Sequence, residues 1–294
     1  MKNQEPDAQR TIFSESPVLV KSVKQGIWEL CFNRPARCNA LSLETLELFT
    51  EALQKLAQMP EARILVLRGA GKIFCGGLDL KEAFLGGAAT TPLKSSQFAC
   101  FSYLNDVNKR FPTELGFQMP ARVLEILYRL LTLPQTVLAV GQGGAFGGGA
   151  GLLAVSDFVL ADEPFRLGFP ELRRGLRPSL LHPFLKRKLS VSAMKRLLLP
   201  GEPISAETAR AFGLVQQIVP TDRLDEALEE RIAQILAGEP SAAVAAKRQL
   251  NETLLPPADE LLDGLFDHWK SWKSPEAQEG IAAFLEKRPP KWCR

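Results

Sequence analysis

Two glycine-rich segments constrain the fold of this chain more than any other feature. The first reads FCGGLDLKE (residues 74–82) and the second GQGGAFGGGAGLLA (residues 141–154). In each, we predict a strand that runs into a glycine turn and leads toward a helix. Such turns present free backbone N–H groups at one point in space. Two donors that converge on one oxygen stabilise negative charge there, so the pair predicts a site for chemistry on a carbonyl group.

One carboxylate follows the second turn, in the segment LGFPELRRGL (residues 167–176). Glu171 has apolar neighbours, which indicate partial burial and a raised pKa. From the local sequence alone, a solvated loop carboxylate is the favoured alternative. The chain shows neither a Ser–His–Asp order nor a nucleophile elbow. Donors with a single acid–base group therefore favour enolate chemistry over acyl-enzyme chemistry.

The bulk composition excludes several classes of protein. The chain has 294 residues, a formal net charge of +3, and a pI near 8.6, which is too mild to indicate nucleic-acid binding. The polar N-terminus lacks an apolar signal core, and no apolar run approaches the ~20 residues that span a membrane. Five scattered cysteines without a CxxC motif predict reduced thiols in a cytoplasmic protein. Only two histidines are present, far apart, so we expect no metal site.

The order of elements predicts an α/β fold. Residues 1–16 are expected to form a flexible tail, 17–200 an α/β core, and 201–294 a helical oligomerisation region. In the core, strands alternate with helices, which is typical of a layer of parallel strands. Beyond that, Gly and Pro breaks delimit helices predicted over 205–212, 223–236, 241–254, 258–272 and 275–287.

Six motifs in order resemble the crotonase (enoyl-CoA hydratase/isomerase) superfamily, from about residue 18 to the C-terminus. They are NRPARCNALS, FCGGLDLKE, GGAFGGGAGLLAVSDFVLAD, FPELRRGL, PISAETARAFGLVQQIV and EGIAAFLEKRPPKW. The resemblance implies a crotonase-like spiral of ββα units with a helical C-terminal trimerisation region. It also implies a homotrimer or hexamer. An apolar stripe on the predicted helix 223–236 exceeds what a monomer normally exposes, which points the same way; its members are Leu224, Leu228, Ile232 and Ile235.

The resemblance also assigns catalytic roles. It implies that the backbone N–H groups of Leu78 and Gly148 are the oxyanion donors. Glu171 matches one of the two glutamates that do acid–base work in the hydratases. The position of the other glutamate holds Gly151, which argues against simple two-glutamate hydration. Asp79 in the first motif is predicted to cap a helix.

Binding roles follow in the same way. Arg34 and Arg37 match a loop that contacts the phosphate and adenine of CoA in the family. Phe284 and Lys287 match a C-terminal segment that reaches the adenine site of a neighbouring subunit; core packing of Phe284 is an equal alternative. We expect no cofactor, because CoA or phosphopantetheine comes as part of the substrate.

A narrower resemblance concerns the reaction. GGGAGL, combined with GLRPSLLHPFLKRK from residue 175, looks like the dehydratases of 3-hydroxy-3-methylglutaryl thioesters. These include polyketide β-branching enzymes and relatives of methylglutaconyl-CoA hydratase. The predicted function is therefore an acyl-thioester hydratase or dehydratase, acting on a CoA or acyl-carrier-protein substrate. An enoyl-CoA isomerase and a non-catalytic crotonase-fold scaffold are the alternatives.

Basic residues beside Glu171 suggest recognition of an anion. Arg173 or Arg177 is predicted to bind a substrate carboxylate, with a solvated charged face as the alternative. The basic cluster, which also includes Arg174, Lys186, Arg187 and Lys188, could equally meet CoA phosphates or an acidic carrier protein. His182 is a possible second acid, although capping or packing is favoured for it. The stretch 84–133, which borders the acyl pocket in the family, matches nothing.

Overall fold

The computed structural model describes residues 16–87 and 112–293. All of the predicted tail except Ser16 lies outside these ranges, as do Cys100 and the middle of the unmatched stretch 84–133. The strands within these ranges are β1 (Val18–Lys24), β2 (Ile27–Phe32), β3 (Ile64–Gly69), β4 (Thr136–Gly141), β5 (Gly144–Phe146), β6 (Phe158–Asp162), β7 (Arg166–Gly168), β8 (Ile204–Ser205) and β9 (Gln217–Val219). The helices are α1 (Leu43–Leu56), α2 (Leu80–Leu85), α3 (Leu115–Thr132), α4 (Gly148–Val155), α5 (His182–Lys188), α6 (Val191–Leu198), α7 (Ala206–Ala211), α8 (Leu224–Leu236), α9 (Pro240–Glu252), α10 (Ala258–Trp272) and α11 (Pro275–Leu285).

The strands form two sheets, one of six strands in the order β1-β2-β3-β4-β6-β9 and one of three in the order β5-β7-β8. In the larger sheet only the β1–β2 hairpin is antiparallel; every later pairing is parallel. The hairpin turns at Gly26, whose φ of 76° favours glycine. The predicted α/β class with parallel strands is therefore confirmed. β8 and β9 come from the C-terminal third, which thus completes both sheets.

Side chains that alternate along the strands build a core on each face of the larger sheet. Leu65 and Leu67 on β3 face the cluster that holds α1, α3 and α4. Ile64 and Val66 face the opposite cluster, which α8 covers. A parallel sheet buried on both faces explains why these strands are apolar without a break.

The apolar stripe on α8 does not have the predicted role. Leu224, Leu228 and Ile232 are buried against the sheet of their own chain, and Ile235 packs at the edge of the same cluster. The stripe therefore gives no argument for association, and the trimer or hexamer remains a prediction from the resemblance alone.

The five C-terminal helices lie where the sequence predicts them, as α7 to α11. Two of them approach the α/β core from outside: α10 packs on α3, and α11 on the short turn Leu172–Arg174. The approach of α11 is close, because a Cβ on Gly280 would stand 2.5 Å from the Arg174 carbonyl carbon. A larger residue at 280 would push α11 and the turn apart.

Helix α3 is the largest element that the sequence analysis does not predict. It crosses the core with most of its side chains buried, and it contains Pro120 in its interior. An internal proline normally ends a helical pattern, although Gln118, Arg122, Glu125 and Arg129 recur at helical spacing. Within the described ranges, no helix is long and apolar enough to cross a membrane.

Candidate active site

Hydrogen bonds from the loop at residues 34–39 hold the first glycine turn in place. The buried Asn39 side chain donates to the carbonyls of Ala70 and Ile73 at 2.9 and 2.7 Å. The Gly76 N–H donates to the Cys38 carbonyl at 2.8 Å. This segment was predicted as a strand, but it forms only isolated bridges, at Cys75 and Leu78. Extended backbone without a ladder leaves donors available.

The second turn lies against the first. The Phe146 N–H donates to the Cys75 carbonyl at 3.0 Å, and Gly147 then takes a φ of 51° that lets α4 begin at Gly148. A Cβ on Gly77 would lie 3.6 Å from the Gly148 nitrogen, so the two turns are in contact.

Where the two turns meet, the backbone N–H groups of Leu78 and Gly148 are free to donate. On either side of Leu78 the backbone is hydrogen-bonded to Leu41. The Leu41 N–H donates to the Gly77 carbonyl, and the Asp79 N–H donates to the Leu41 carbonyl, so the Leu78 N–H takes no part in these bonds. Within the described parts of the chain, neither the Leu78 nor the Gly148 N–H has an acceptor. These are the donors that the sequence predicts for an oxyanion.

Glu171 lies beside the second turn. Its Oε1 is 3.2 Å from the place where a Cβ on Gly147 would stand, so a larger residue there would crowd the carboxyl group. Its Oε2 is buried and has no hydrogen-bond partner among the described residues. Burial raises the pKa of Glu171 to about 7, although a backbone hydrogen bond and the charge of Arg174 oppose the rise. A carboxyl group with this pKa both gives and takes protons near neutral pH.

A cavity of about 330 Å³ opens between these elements. Among the residues predicted for the site, its lining includes Leu78, Gly148, Glu171, Arg37 and Phe284. The structure thus brings together both N–H donors, the carboxyl group and two of the four residues predicted to bind CoA. The arrangement suits the stabilisation of an enolate next to a proton carrier.

Comparison with known proteins agrees with this geometry. The family model described as "Enoyl-CoA hydratase/isomerase" matches residues 22–113 and 117–294. A putative enoyl-CoA hydratase of Thermus thermophilus is 33% identical over 285 residues, which cover 93% of this chain and 100% of that protein. The chain belongs to the enoyl-CoA hydratase/isomerase family. It is therefore an enzyme of a family that acts on acyl thioesters.

A second relative and one solved structure are also similar to this chain. A carnitinyl-CoA dehydratase of Salmonella enteritidis is 29% identical over 275 residues, covering 90% of this chain and 94% of that one. A crystal structure of an enoyl-CoA hydratase from Mycobacterium avium superposes with a TM-score of 0.76 at 23% identity, covering 95% of this chain and 99% of that one. The second match establishes the shared fold.

The family's second glutamate has no counterpart at position 151. A Cβ on Gly151 would meet Leu181 Cδ2 at 2.8 Å and Leu127 Cδ2 at 3.5 Å. Leu181 itself lines the cavity. Apolar side chains fill the space that an acid would occupy, so this wall of the cavity carries no carboxylate.

The two arginines predicted to bind a substrate carboxylate lie outside the cavity lining. Arg173 is 53% exposed and pairs with Glu202 at 2.6 Å. Arg177 is 61% exposed and pairs with Asp267 at 2.5 Å. In a single turn of chain only every third or fourth side chain points inward, and here the inward one is Arg174, which does line the cavity.

The remaining predicted residues are placed as follows. Arg34 is not among the lining residues; its guanidinium donates to the Ala40 carbonyl at 2.7 Å and pairs with Asp79 at 3.3 Å. Asp79 caps α2 by accepting from the Glu82 N–H, as predicted. Lys287 lies beyond the lining. Phe284 lines the cavity of its own chain, so its predicted role in a neighbouring subunit's site has no support from this placement.

The other basic residues are mostly held by partners within the chain. Lys186 and Arg187 pair with Glu260 at 2.5 and 2.7 Å. Lys188 donates to the Ala154 carbonyl at 2.8 Å. His182 begins α5 on a separate surface hollow, away from Glu171.

The sequence analysis gives no individual role to Lys81, Arg174 or His268, which line the cavity. Arg174 lies one position from a residue that was chosen, and its guanidinium carbon stands 4.1 Å from the centre of the Phe284 ring. His268 comes from α10, nearly a hundred residues after Glu171. The spacing within α10 gives no sign that its histidine faces a cavity rather than a packed core.

Proposed function

We propose that this enzyme adds or removes water across the α,β bond of an acyl-CoA thioester, with 3-hydroxy-3-methylglutaryl-CoA as the first candidate substrate. The observation that carries the proposal is the buried, unpartnered Oε2 of Glu171 beside two unused N–H donors. Relatives that bear the names hydratase and dehydratase support the reaction class.

The mechanism follows from these groups. The thioester oxygen accepts from the N–H groups of Leu78 and Gly148, which hold the negative charge of the enolate. Donors of this kind contribute about 2.7–4 kcal/mol each to the transition state. Glu171 moves the proton at the α-carbon, because its carboxyl group lines the same cavity as the donors and its raised pKa suits both directions.

The lining of the cavity suits CoA, because it includes Arg37 and Phe284, two of the residues predicted to contact CoA. A carrier protein would need an exposed basic surface, yet Lys186 and Arg187 are paired with Glu260. CoA as the thiol of the substrate is therefore our proposal, with phosphopantetheine as the alternative.

A substrate with a second carboxylate suits Arg174. The Nε of this side chain is buried without a partner, and none of the ion pairs among the described residues includes it. Its Nη1 donates to the Pro170 carbonyl at 3.1 Å. Burial lowers the pKa of Arg174, because a buried guanidinium loses its hydration. A substrate carboxylate nearby would offset the free-energy cost of that desolvation. We therefore move the proposed carboxylate contact from Arg173 or Arg177 to Arg174.

A second candidate function is the isomerisation of an enoyl thioester. Its support is the apolar wall at Gly151, because a cavity with one carboxylate can move a proton from one carbon to another without activating water.

The test is to incubate the enzyme with three thioesters and follow mass changes. These are 3-hydroxy-3-methylglutaryl-CoA, the same acyl group on a carrier protein, and 3-hydroxybutyryl-CoA. Loss of one water from 3-hydroxy-3-methylglutaryl-CoA, but not from 3-hydroxybutyryl-CoA, is the expected result. A 3-enoyl-CoA, assayed separately by the ultraviolet absorbance of the conjugated 2-enoyl thioester, tests the alternative. Its isomerisation without water loss from any of the three thioesters would favour the isomerase and remove the hydro-lyase.

A further inference from the structure

Hydration requires two proton transfers, one at the α-carbon and one at the water oxygen. Glu171 serves the first. Among the described lining residues, the other carboxylate is that of Asp79, which already caps α2 and pairs with Arg34. The wall at Gly151 is apolar. A second proton acceptor for the proposed reaction must therefore come from elsewhere in the lining.

His268 fits this need by its geometry. It is 6% exposed and lines the same cavity as Glu171. Its Nδ1 stands 2.9 Å from the Arg177 carbonyl oxygen, which can only accept, so Nδ1 carries the proton. The neutral ring then has its lone pair on Nε2, and no described residue hydrogen-bonds that atom. The Trp272 ring, 6.1 Å away between centroids, packs beside the imidazole.

We infer that His268 is the second acid–base group of this site and takes the proton of the attacking water at Nε2. The inference rests on the proposed hydro-lyase function. The water oxygen bonds to the β-carbon while its proton passes to Nε2. The electron pair of the double bond moves into the thioester, whose oxygen is held by Leu78 and Gly148. The enolate then takes the proton of Glu171 at the α-carbon.

The products of this cycle are the hydrated thioester, a Glu171 carboxylate and a His268 imidazolium. Proton exchange with solvent restores the starting state. In dehydration the steps run backwards: the carboxylate removes the α-proton, and the imidazolium gives its proton to the leaving hydroxyl.

Burial shifts the pKa values of His268 and Glu171 in the directions that a base and an acid require. Burial lowers the pKa of His268, although the bond to the Arg177 carbonyl and the charge of Asp267 oppose this, so the ring is a free acceptor at neutral pH. Burial raises the pKa of Glu171 to about 7, which keeps a fraction of it protonated. Environments that separate two pKa values in this way assign one group as base and the other as acid.

The test separates two rates in one variant. His268→Asn keeps an N–H at the place of Nδ1, so the bond to Arg177 survives, but it removes Nε2. The first rate is hydration of 3-methylglutaconyl-CoA, with crotonyl-CoA as a second substrate. The second is exchange of the α-protons of butyryl-CoA in D₂O, which needs Glu171 and the N–H donors but no attack by water. His182→Asn is the matched control, because the only other histidine lies outside the cavity.

We expect His268→Asn to slow hydration by about 10²–10⁴-fold and to change exchange by less than about tenfold. His182→Asn should change neither rate. Hydration at the wild-type rate in His268→Asn would overturn the inference and leave the proposed function standing. An equal fall in both rates would assign His268 a structural role and overturn it as well. A wild-type enzyme that exchanges α-protons but hydrates neither substrate would refute the proposed function, and this inference with it.

Discussion

The two walls of the cavity are built in different ways. The oxyanion wall consists of backbone N–H groups from two glycine turns that bridges hold in contact. The proton wall consists of side chains that meet only in the folded chain, Glu171 and Arg174 from one turn and His268 from α10. The backbone wall depends on the absence of side chains, whereas the proton wall depends on their identity. Substitutions should therefore act on the two walls in different ways.

The largest effect is expected on the proton wall. Glu171→Gln should lower kcat for hydration by about 10²–10⁴-fold, because the amide keeps the shape but cannot exchange a proton. Steady-state kinetics on the best thioester will measure it. Glu202→Gln is the control, since Glu202 is exposed on the nearby loop and, among the residues that the structure describes, pairs only with Arg173. Near-wild-type turnover of Glu171→Gln would remove this carboxyl group from the mechanism.

The backbone wall can be tested with two matched variants of Gly148, the first residue of α4. Gly148→Pro deletes the N–H at a position where helices accept proline, and it should lower kcat by about 10²–10³-fold. Gly148→Ala keeps the N–H; its Cβ would lie 3.3 Å from the mobile end of Leu41, so it should cost far less. Equal losses in the two variants would indicate crowding rather than a missing donor. Circular dichroism of both is needed beforehand.

Glu171 in the proton wall should also lower the free energy of unfolding at high pH. A pKa of about 7 for folded Glu171, against an ordinary value of 4.5, means that the folded state binds more protons between these values. Stability therefore falls as the pH rises through this window, by about 3 kcal/mol in total. Glu171→Gln lacks this term, so its stability relative to wild type should rise from pH 4 to pH 9. Urea unfolding across that range measures the difference; a constant difference would contradict the raised pKa.

A smaller effect is expected on selectivity. Arg174→Met should lower kcat/KM for 3-hydroxy-3-methylglutaryl-CoA by about 10–100-fold, the usual loss of a charge-assisted hydrogen bond. The kcat/KM for 3-hydroxybutyryl-CoA should change little. For 3-hydroxy-3-methylglutaryl-CoA, the kcat/KM of Arg174→Lys should lie between those of the wild type and Arg174→Met. Arg173→Met is the matched control from the neighbouring, exposed residue. Equal losses on both substrates in Arg174→Met would mean that the arginine supports the fold rather than the substrate.

The same contrast explains what the sequence reveals. Glycine turns, helix caps and apolar strands are local, so the α/β class and helices α7 to α11 are predictable from the residues. The positions of the donors Leu78 and Gly148 come from the family resemblance. Which arginine of the pair at 173 and 174 faces inward depends on a single turn whose direction α11 fixes by contact. The stripe on α8 looks the same in sequence whether it covers a partner or its own sheet. The placement of His268 in the cavity depends on tertiary packing alone, whereas α3 is obscured in the sequence by its internal Pro120.

The most direct test of the central claim isolates the proton transfer from the chemistry of water. Butyryl-CoA cannot lose or gain water, so incorporation of deuterium at its α-carbon in D₂O reports only the N–H donors and Glu171. We predict that the wild-type enzyme catalyses this exchange and that Glu171→Gln slows it by at least about 100-fold. Exchange at the wild-type rate in Glu171→Gln would contradict the account.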